Sequence, residues 1–235
     1  MSQVSANTIT PVEVVQLYNR FVAVLDNPIY LGKYNRLPMH LNTGYRWENH
    51  DFPRIPALLE FREWSEKYAH FATPIALVLN GRDDPEAQYI RADSIDYVDY
   101  DLQTNQYDLH TLNLPRKDYG FIMANQTLEH VYHPYLCVQN IFNHLRSGGY
   151  FYCNVPLLNI PHSVPFHYYT GYTAMGLLTL FRNMGFDILE YGQWGNFEYI
   201  QKLFAYHQWP DYRQLQRHGN EFRNAVAGWV LVKKP

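Results

Sequence analysis

The chain has 235 residues, of which 47% are hydrophobic, 17% are aromatic and 17% are charged. This length predicts one large domain, and the composition excludes a disordered or low-complexity chain. The net charge is −3 and Lys and Arg side chains form no cluster, so duplex nucleic acid is not an expected partner. The sequence has no run of 18 apolar residues and no signal-peptide pattern at residues 1–10. We therefore expect neither a membrane-spanning nor an exported protein.

The two cysteines, Cys137 and Cys153, both lie among apolar residues. This placement is typical of reduced thiols in a protein core and not of a disulfide framework. It predicts a cytoplasmic protein. The sequence does not indicate an oligomeric state.

We expect residues 1–72 to form a helical N-terminal extension or cap. Apolar residues recur at helical spacing from Pro11 to Leu25, and Asn27-Pro28 would end that helix. A second helix is predicted from Pro56 to about Ala72. The segment between the two helices has no sustained period and predicts an ordered irregular stretch around Tyr45-Arg46-Trp47.

Residues 73–235 alternate short apolar strands with helical patterns, which predicts an α/β fold with a mostly parallel sheet and helices on both faces. One helix is predicted from Pro134 to Leu145, with a stop at Ser147-Gly148-Gly149, and another from Thr173 to Met184. Residues 196–224 are rich in aromatic side chains, and we expect them to form a lid or to pack on the sheet. The predicted strands are Ile75–Leu79, Ile95–Tyr100, Gly120–Ala124, Tyr150–Val155, Phe186–Tyr191 and Gly228–Val232.

An ordered series of short motifs runs through the middle of the chain. Asp108-Leu109 precedes the predicted third strand, Leu128-Glu129-His130 follows that strand, and Leu145-Arg146-Ser147-Gly148-Gly149 follows the next helix. In this order the motifs resemble the class I S-adenosylmethionine-dependent methyltransferases over about residues 75 to 195. The resemblance implies a Rossmann-like class I methyltransferase fold, S-adenosylmethionine as the cofactor, and a small molecule or glycan as the methyl acceptor.

The resemblance also implies where the cofactor binds, since open α/β sheets bind ligands beyond the carboxyl ends of their strands. It puts Asp101 on the ribose hydroxyls, with Asp99 as the alternative if the second strand ends two residues earlier. The alternative for all these polar residues is that they are solvated turn residues without a ligand. The other contacts that it implies are Asp108 and Leu109 at the adenine edge, and Asn125 and Gln126 at the methionine portion.

The loop after the first strand departs from the family pattern. Members usually have a glycine-rich loop there, because the backbone approaches the cofactor closely. Here the run Leu79-Asn80-Gly81 holds a single glycine, and the connection to the second strand is too short for a full crossover helix. We expect these three residues to contact the cofactor. The departure also motivates a second hypothesis, a non-catalytic scaffold whose cofactor site has decayed. A dinucleotide-dependent oxidoreductase is disfavoured because no G-x-G-x-x-G motif occurs.

Glu129 and His130 allow three interpretations. They support the following helix, or they belong to a catalytic base, or they hold a divalent cation together with His167. In the second case His167, assisted by His130 or Glu129, takes the proton from a hydroxyl during O-methyl transfer. Some small-RNA and quinone-pathway O-methyltransferases have a Glu-x-x-Glu-His motif at this place, where this chain has Gln126 as the first residue. His162 lies on the same loop as His167 and can reach a substrate.

Overall fold

Six strands form one sheet in the order β2-β1-β3-β4-β6-β5 in the computed structural model, which describes residues 8–35, 37, 53–101, 103–104 and 106–235. Strands β1 to β4 pair in parallel, and β6 lies antiparallel between β4 and β5. The mostly parallel sheet and all six predicted strands are thus confirmed. The strands are β1 Thr73–Leu79, β2 Ala92–Val98, β3 Tyr119–Asn125, β4 Leu145–Pro156, β5 Asp187–Trp194 and β6 Ala227–Lys233.

The end of β2 differs from the prediction in a way that matters for the site. Pairing between β1 and β2 stops at the partners Leu79 and Val98, two residues before the predicted end at Tyr100. The Tyr100 amide then donates to the Asn80 side-chain oxygen at 2.7 Å and not to a strand. Only a short 3₁₀ stretch, Pro85–Tyr89, connects the two strands, as the length of this connection predicts.

Helix α1 begins where predicted, because Thr10 and Glu13 form a capping box at its start. The helix predicted to reach Ala72 ends five residues earlier, since Ala69 and the two residues after it have positive φ, which an α-helix cannot continue. Tyr45-Arg46-Trp47 lies outside the described residues. The helices are α1 Pro11–Leu25, α2 Pro28–Gly32, α3 Arg54–Lys67, α4 Pro134–His144, α5 Ala174–Asn183 and α6 Phe197–Tyr206.

Hydrophobic side chains pack on both faces of the sheet, as the fold class predicts. On one face, α1, α4 and α5 contribute Leu25, Ile141 and Phe181 to a buried cluster. On the other face, α3 and α6 contribute Phe61 and Leu203 to a second cluster. The N-terminal extension therefore packs on both faces.

The two cysteines lie in the protein core, as the sequence predicts. Cys137 and Cys153 are buried and form no disulfide. Within the described parts of the chain, no helix has both the length and the apolar character that crossing a membrane requires.

Candidate active site

A cavity of about 440 Å³ opens beyond the carboxyl ends of β1 and β3. Asn80, the residue after β1, lines it together with Gln126, the residue after β3. This is the position at which open α/β sheets bind ligands. The cavity is lined by Asn80, Tyr100, Tyr107, Asp108, Leu109, His110, Gln126, Thr127, His130, Val131, Tyr132, Ser163, Phe166 and Tyr168.

Asn80 and Gln126 both have the left-handed backbone that usually favours glycine, with φ of 52° and 48°. Asparagine tolerates this conformation better than most residues do. Asn80 therefore gives β1 a sharp end without the glycine that the family pattern places there. Gln126 is held by its side-chain amide, which donates to the Asn154 side-chain oxygen at 2.5 Å.

Three residues predicted to contact the cofactor do not line the cavity. Leu79 is buried in the hydrophobic core. Gly81 lies against Asp84, so that a Cβ added to it would be 2.6 Å from Oδ2 of that residue. Asn125 donates to the same Oδ2 at 2.9 Å, and the buried Arg54 guanidinium pairs with Oδ1 at 2.9 Å. Gly81 and Asn125 thus contact Asp84 and support the loop after β1 on the side away from the cavity.

The structure also corrects the placement of Asp101, which does not line the cavity. Because β2 ends at Val98, Asp101 lies three residues beyond the strand and not at its end. Its carboxylate accepts hydrogen bonds from the Thr104 hydroxyl at 2.6 Å and from the Gln103 amide at 2.9 Å. These bonds, that of Thr104 first, lower the pKa of Asp101. The carboxylate therefore closes a local turn.

Asp108 is the one carboxylate among the described residues that line the cavity. Its Oδ1 accepts a hydrogen bond from the His110 amide at 2.9 Å and lies 2.6 Å from Nδ1 of the same residue. Its Oδ2 makes no hydrogen bond to the rest of the described chain. Asp99, the alternative to Asp101, is exposed and pairs with Arg82 at 3.4 Å outside the cavity. Asp108 therefore offers the cavity an acceptor atom.

His130 combines a place in the cavity wall with a free ring nitrogen. Its Nδ1 lies 2.8 Å from the Phe166 carbonyl oxygen, which can only accept, so Nδ1 carries the proton and Nε2 the lone pair. Burial lowers the pKa of His130, which keeps the ring neutral near neutral pH. Oε1 of Glu129 lies 3.9 Å from Nε2. His130 can thus accept a proton from a bound molecule.

His167, predicted to be the main base, has no such freedom. Its Nε2 donates to the Tyr169 carbonyl oxygen at 2.8 Å, and its Nδ1 accepts from the His162 amide at 3.0 Å. It does not line the cavity. His167 therefore stabilises its own loop, and the ring nitrogen without a hydrogen bond in the described part of the cavity wall belongs to His130.

Glu129 is fully buried, and neither carboxylate oxygen has a hydrogen-bond partner among the described residues. Burial raises the pKa of its carboxyl group to about 8. Its carbonyl oxygen accepts hydrogen bonds from the Tyr168 and Tyr169 amides, at 2.9 and 3.2 Å. The backbone of Glu129 thus holds the loop that carries His167 next to His130.

The predicted cation ligands Glu129, His130 and His167 are not the set that the structure brings together. Among the described residues, the group whose possible ligand atoms all lie within 4.8 Å of one another is His130, His162 and His167. Glu129 is not part of this group.

Sequence reasoning missed most of the aromatic wall of the cavity. His110 stacks on Tyr132 with a centroid distance of 3.8 Å, and Tyr132 meets Tyr168 edge to face at 5.8 Å. Tyr100 and Tyr107 come from the irregular segment after β2. The 21 tyrosines of the chain were the signal for such a wall, but they did not tell which tyrosines form it. Of the residues 196–224, none that the structure describes lines the cavity.

Comparison with known proteins gives a family and a fold. A family model described as a methyltransferase domain matches residues 81–223. No curated protein matches the chain. An S-adenosylmethionine-dependent methyltransferase from Clostridium acetobutylicum is similar at a TM-score of 0.50 and 12% identity, over 93% of this chain and 99% of that one. The YcgJ protein from Bacillus subtilis is similar at a TM-score of 0.50 and 11% identity, over 75% of this chain and 99% of that one. At such identities the likeness to these structures shows the fold alone.

Proposed function

We propose, from the premise that this chain belongs to the class I S-adenosylmethionine-dependent methyltransferase family, that it methylates a hydroxyl group of a small molecule or a sugar. The observation that carries the proposal is a single cavity with two kinds of wall. Residues at the strand ends, such as Asn80 and Gln126, form one part of the cavity wall. His130, whose Nε2 makes no hydrogen bond to any described residue, forms another part of the wall. In this proposal the methyl donor and the acceptor bind side by side in the same cavity.

Four of the predicted cofactor residues line the cavity, and this supports the proposal that they hold S-adenosylmethionine. Asp108 offers Oδ2 to hydrogen-bond donors of the nucleoside, and Leu109 beside it offers an apolar surface. Asn80 and Gln126 follow the ends of β1 and β3. Their left-handed backbone conformation turns the chain at the cavity wall. The residues present thus fit the cofactor without a glycine-rich loop.

When bound, the cofactor supplies a methyl group on a sulfonium. His130 takes the acceptor's hydroxyl proton on Nε2 as the oxygen forms its new bond to carbon and the sulfur–carbon bond breaks. The hydrogen bond from Nδ1 to Phe166 fixes the ring orientation for this transfer. The aromatic wall excludes water and orients the acceptor, which is a large part of what such a displacement needs.

Cofactor binding is the first test, because it needs no knowledge of the acceptor. We expect calorimetric titration with S-adenosylhomocysteine to show binding to the wild type. Asp108→Asn keeps an oxygen for the His110 amide and replaces the acceptor Oδ2 by a donor, so it should weaken binding by about tenfold or more. Asp101→Ala is the matched control outside the cavity and should bind as the wild type does.

Absence of binding up to millimolar ligand would overturn the proposal in favour of a non-catalytic scaffold. That alternative is motivated by the single glycine in Leu79-Asn80-Gly81. Loss of binding in Asp101→Ala but not in Asp108→Asn would support the contact between Asp101 and the ribose that the family resemblance implies. A cation at Glu129, His130 and His167 is not part of the proposal, because the structure does not gather those three side chains.

A further inference from the structure

Three histidine rings meet beside the cavity. Ring centroids are 4.9 Å apart for His130 and His162, 5.4 Å for His130 and His167, and 4.3 Å for His162 and His167. The rings are nearly perpendicular to one another, at 76° to 90°, so they do not stack. All three are half-buried and remain accessible to a solvent ion.

Backbone carbonyl groups fix two of these rings in the form that a metal ion needs. Nδ1 of His130 donates to Phe166 at 2.8 Å, and Nδ1 of His162 donates to Ile160 at 3.1 Å. Nε2 of each ring has a lone pair and makes no hydrogen bond with any described residue. Histidines that bind metal ions usually donate their other ring N–H to a carbonyl or carboxylate in this way, which fixes the ring.

His167 is bound differently and contributes its other nitrogen. Its Nε2 donates to the Tyr169 carbonyl oxygen at 2.8 Å, which leaves the lone pair on Nδ1. That nitrogen accepts a hydrogen bond from the His162 amide at 3.0 Å and lies 3.1 Å from the His162 carbonyl oxygen. A cation on Nδ1 would replace the hydrogen bond from the amide, so His167 is the third ligand after the two rings with a free Nε2.

The buried carboxyl group of Glu129 is a second and independent indication of a cation. It has no hydrogen-bond partner among the described residues, and its Oε1 lies 3.9 Å from Nε2 of His130. A buried polar group without a partner is costly, and a positive ion on that Nε2 would give the Glu129 carboxyl group a partner.

We propose that His130, His162 and His167 form a binding site for a divalent transition-metal ion, held by Nε2 of the first two rings and Nδ1 of the third. Three neutral imidazoles favour Zn²⁺, Co²⁺ or Ni²⁺ over Mg²⁺ or Ca²⁺, which take oxygen ligands. Water completes the coordination on the open side. Because Nε2 of His130 cannot hold a metal ion and accept a proton at the same time, a bound ion would block methyl transfer. This last consequence rests on the proposed function, whereas binding of the ion does not.

The test is a metal titration of protein without a histidine tag, stripped with a chelator and desalted. We expect one Zn²⁺ per chain by calorimetry, and visible absorption bands when Co²⁺ is added. His162→Asn keeps a side-chain N–H near the position of Nδ1, so that Ile160 retains its partner, and it removes Nε2. It should weaken Zn²⁺ binding by at least about tenfold and abolish the Co²⁺ bands.

His207→Asn is the matched control, because it removes an exposed histidine outside the cluster. Asparagine tolerates the left-handed backbone at that position, where φ is 49°. This variant should bind Zn²⁺ as the wild type does. Binding of no ion by the wild type, or equal binding by His162→Asn, would overturn the site. Equal melting temperatures of the metal-free proteins exclude misfolding, and S-adenosylhomocysteine titration of the same samples tests the proposed function separately.

Discussion

The roles of the histidines depend on which backbone atoms their rings contact. His130 and His167 both follow family motifs, so the sequence offered either one as the base. Only His130 lines the cavity and keeps a ring nitrogen free, whereas both nitrogens of His167 contact the backbone. These contacts join residues distant in the chain, such as His130 and Phe166, and no spacing rule predicts them.

Replacement of His130 should therefore damage catalysis more than replacement of His167. With metal-free enzyme and an acceptor found by screening, we expect His130→Ala to lower kcat by about 100- to 10,000-fold, because general-base catalysis contributes this much. Its affinity for S-adenosylhomocysteine should change little. His167→Ala should lose less in kcat and show a lower melting temperature, since it removes two contacts within the loop. Equal loss of kcat in the two variants, at unchanged cofactor affinity, would contradict the assignment to His130.

At the scale of elements, the loop after β1 is built differently from the glycine-rich loop of the family pattern. A buried carboxylate, Asp84, pairs with Arg54 at the start of α3 and accepts from Asn125 at the end of β3. Helix α3 thus helps to hold a loop that borders the cavity. Short apolar runs located all six strands, but the end of β2 depends on its pairing with β1. That error of two residues was enough to misplace Asp101.

Gly81 is the point at which this loop should be most sensitive. In Gly81→Ala the new Cβ would lie 2.6 Å from Oδ2 of Asp84, so the buried ion pair with Arg54 must shift. We expect a loss of about 1–3 kcal/mol in the free energy of unfolding, as for other overpacked sites. Gly32→Ala is the control, because its Cβ meets only the Asn35 side chain, at 3.4 Å. Urea denaturation of both variants measures the difference, and equal stability would show that the loop adjusts freely.

At the scale of the whole molecule, the N-terminal helices and residues 196–224 belong to the packing of the sheet. Phe21 of α1 contacts Tyr191 of β5 at a centroid distance of 4.9 Å. Tyr199 and Tyr212 are buried in the cluster on the opposite face, so the aromatic stretch packs on the sheet and does not line the cavity. Aromatic composition predicted either a lid or a layer packed on the sheet for this stretch. It did not decide between the two, because both need the same side chains.

The carboxyl group of Glu60 contacts side chains from two parts of the chain that are distant in sequence from α3. On α3, it accepts hydrogen bonds from Tyr34 after α2 and from Trp229 on β6, both at 2.8 Å, and it pairs with Lys33 at 3.3 Å. Burial, the largest cause, raises the pKa of Glu60 above its ordinary value of 4.5 in spite of these partners. Between the two pKa values the folded state binds a proton that the unfolded state has lost. The stability from this group is therefore complete below about pH 4.5 and is lost as the pH rises through the folded pKa.

The wild type should accordingly lose stability relative to Glu60→Gln as the pH rises, because the glutamine cannot ionise. We expect the difference in the free energy of unfolding, wild type minus variant, to be larger at pH 5 than at pH 8 in urea denaturation. Subtracting the variant at each pH cancels the titration of the other groups that the two proteins share. A difference that stays constant or grows with pH would mean that the partners Lys33, Tyr34 and Trp229 hold the carboxylate ionised in the folded state. The attraction of these partners would then outweigh burial, and the contacts between α3 and β6 would strengthen at high pH.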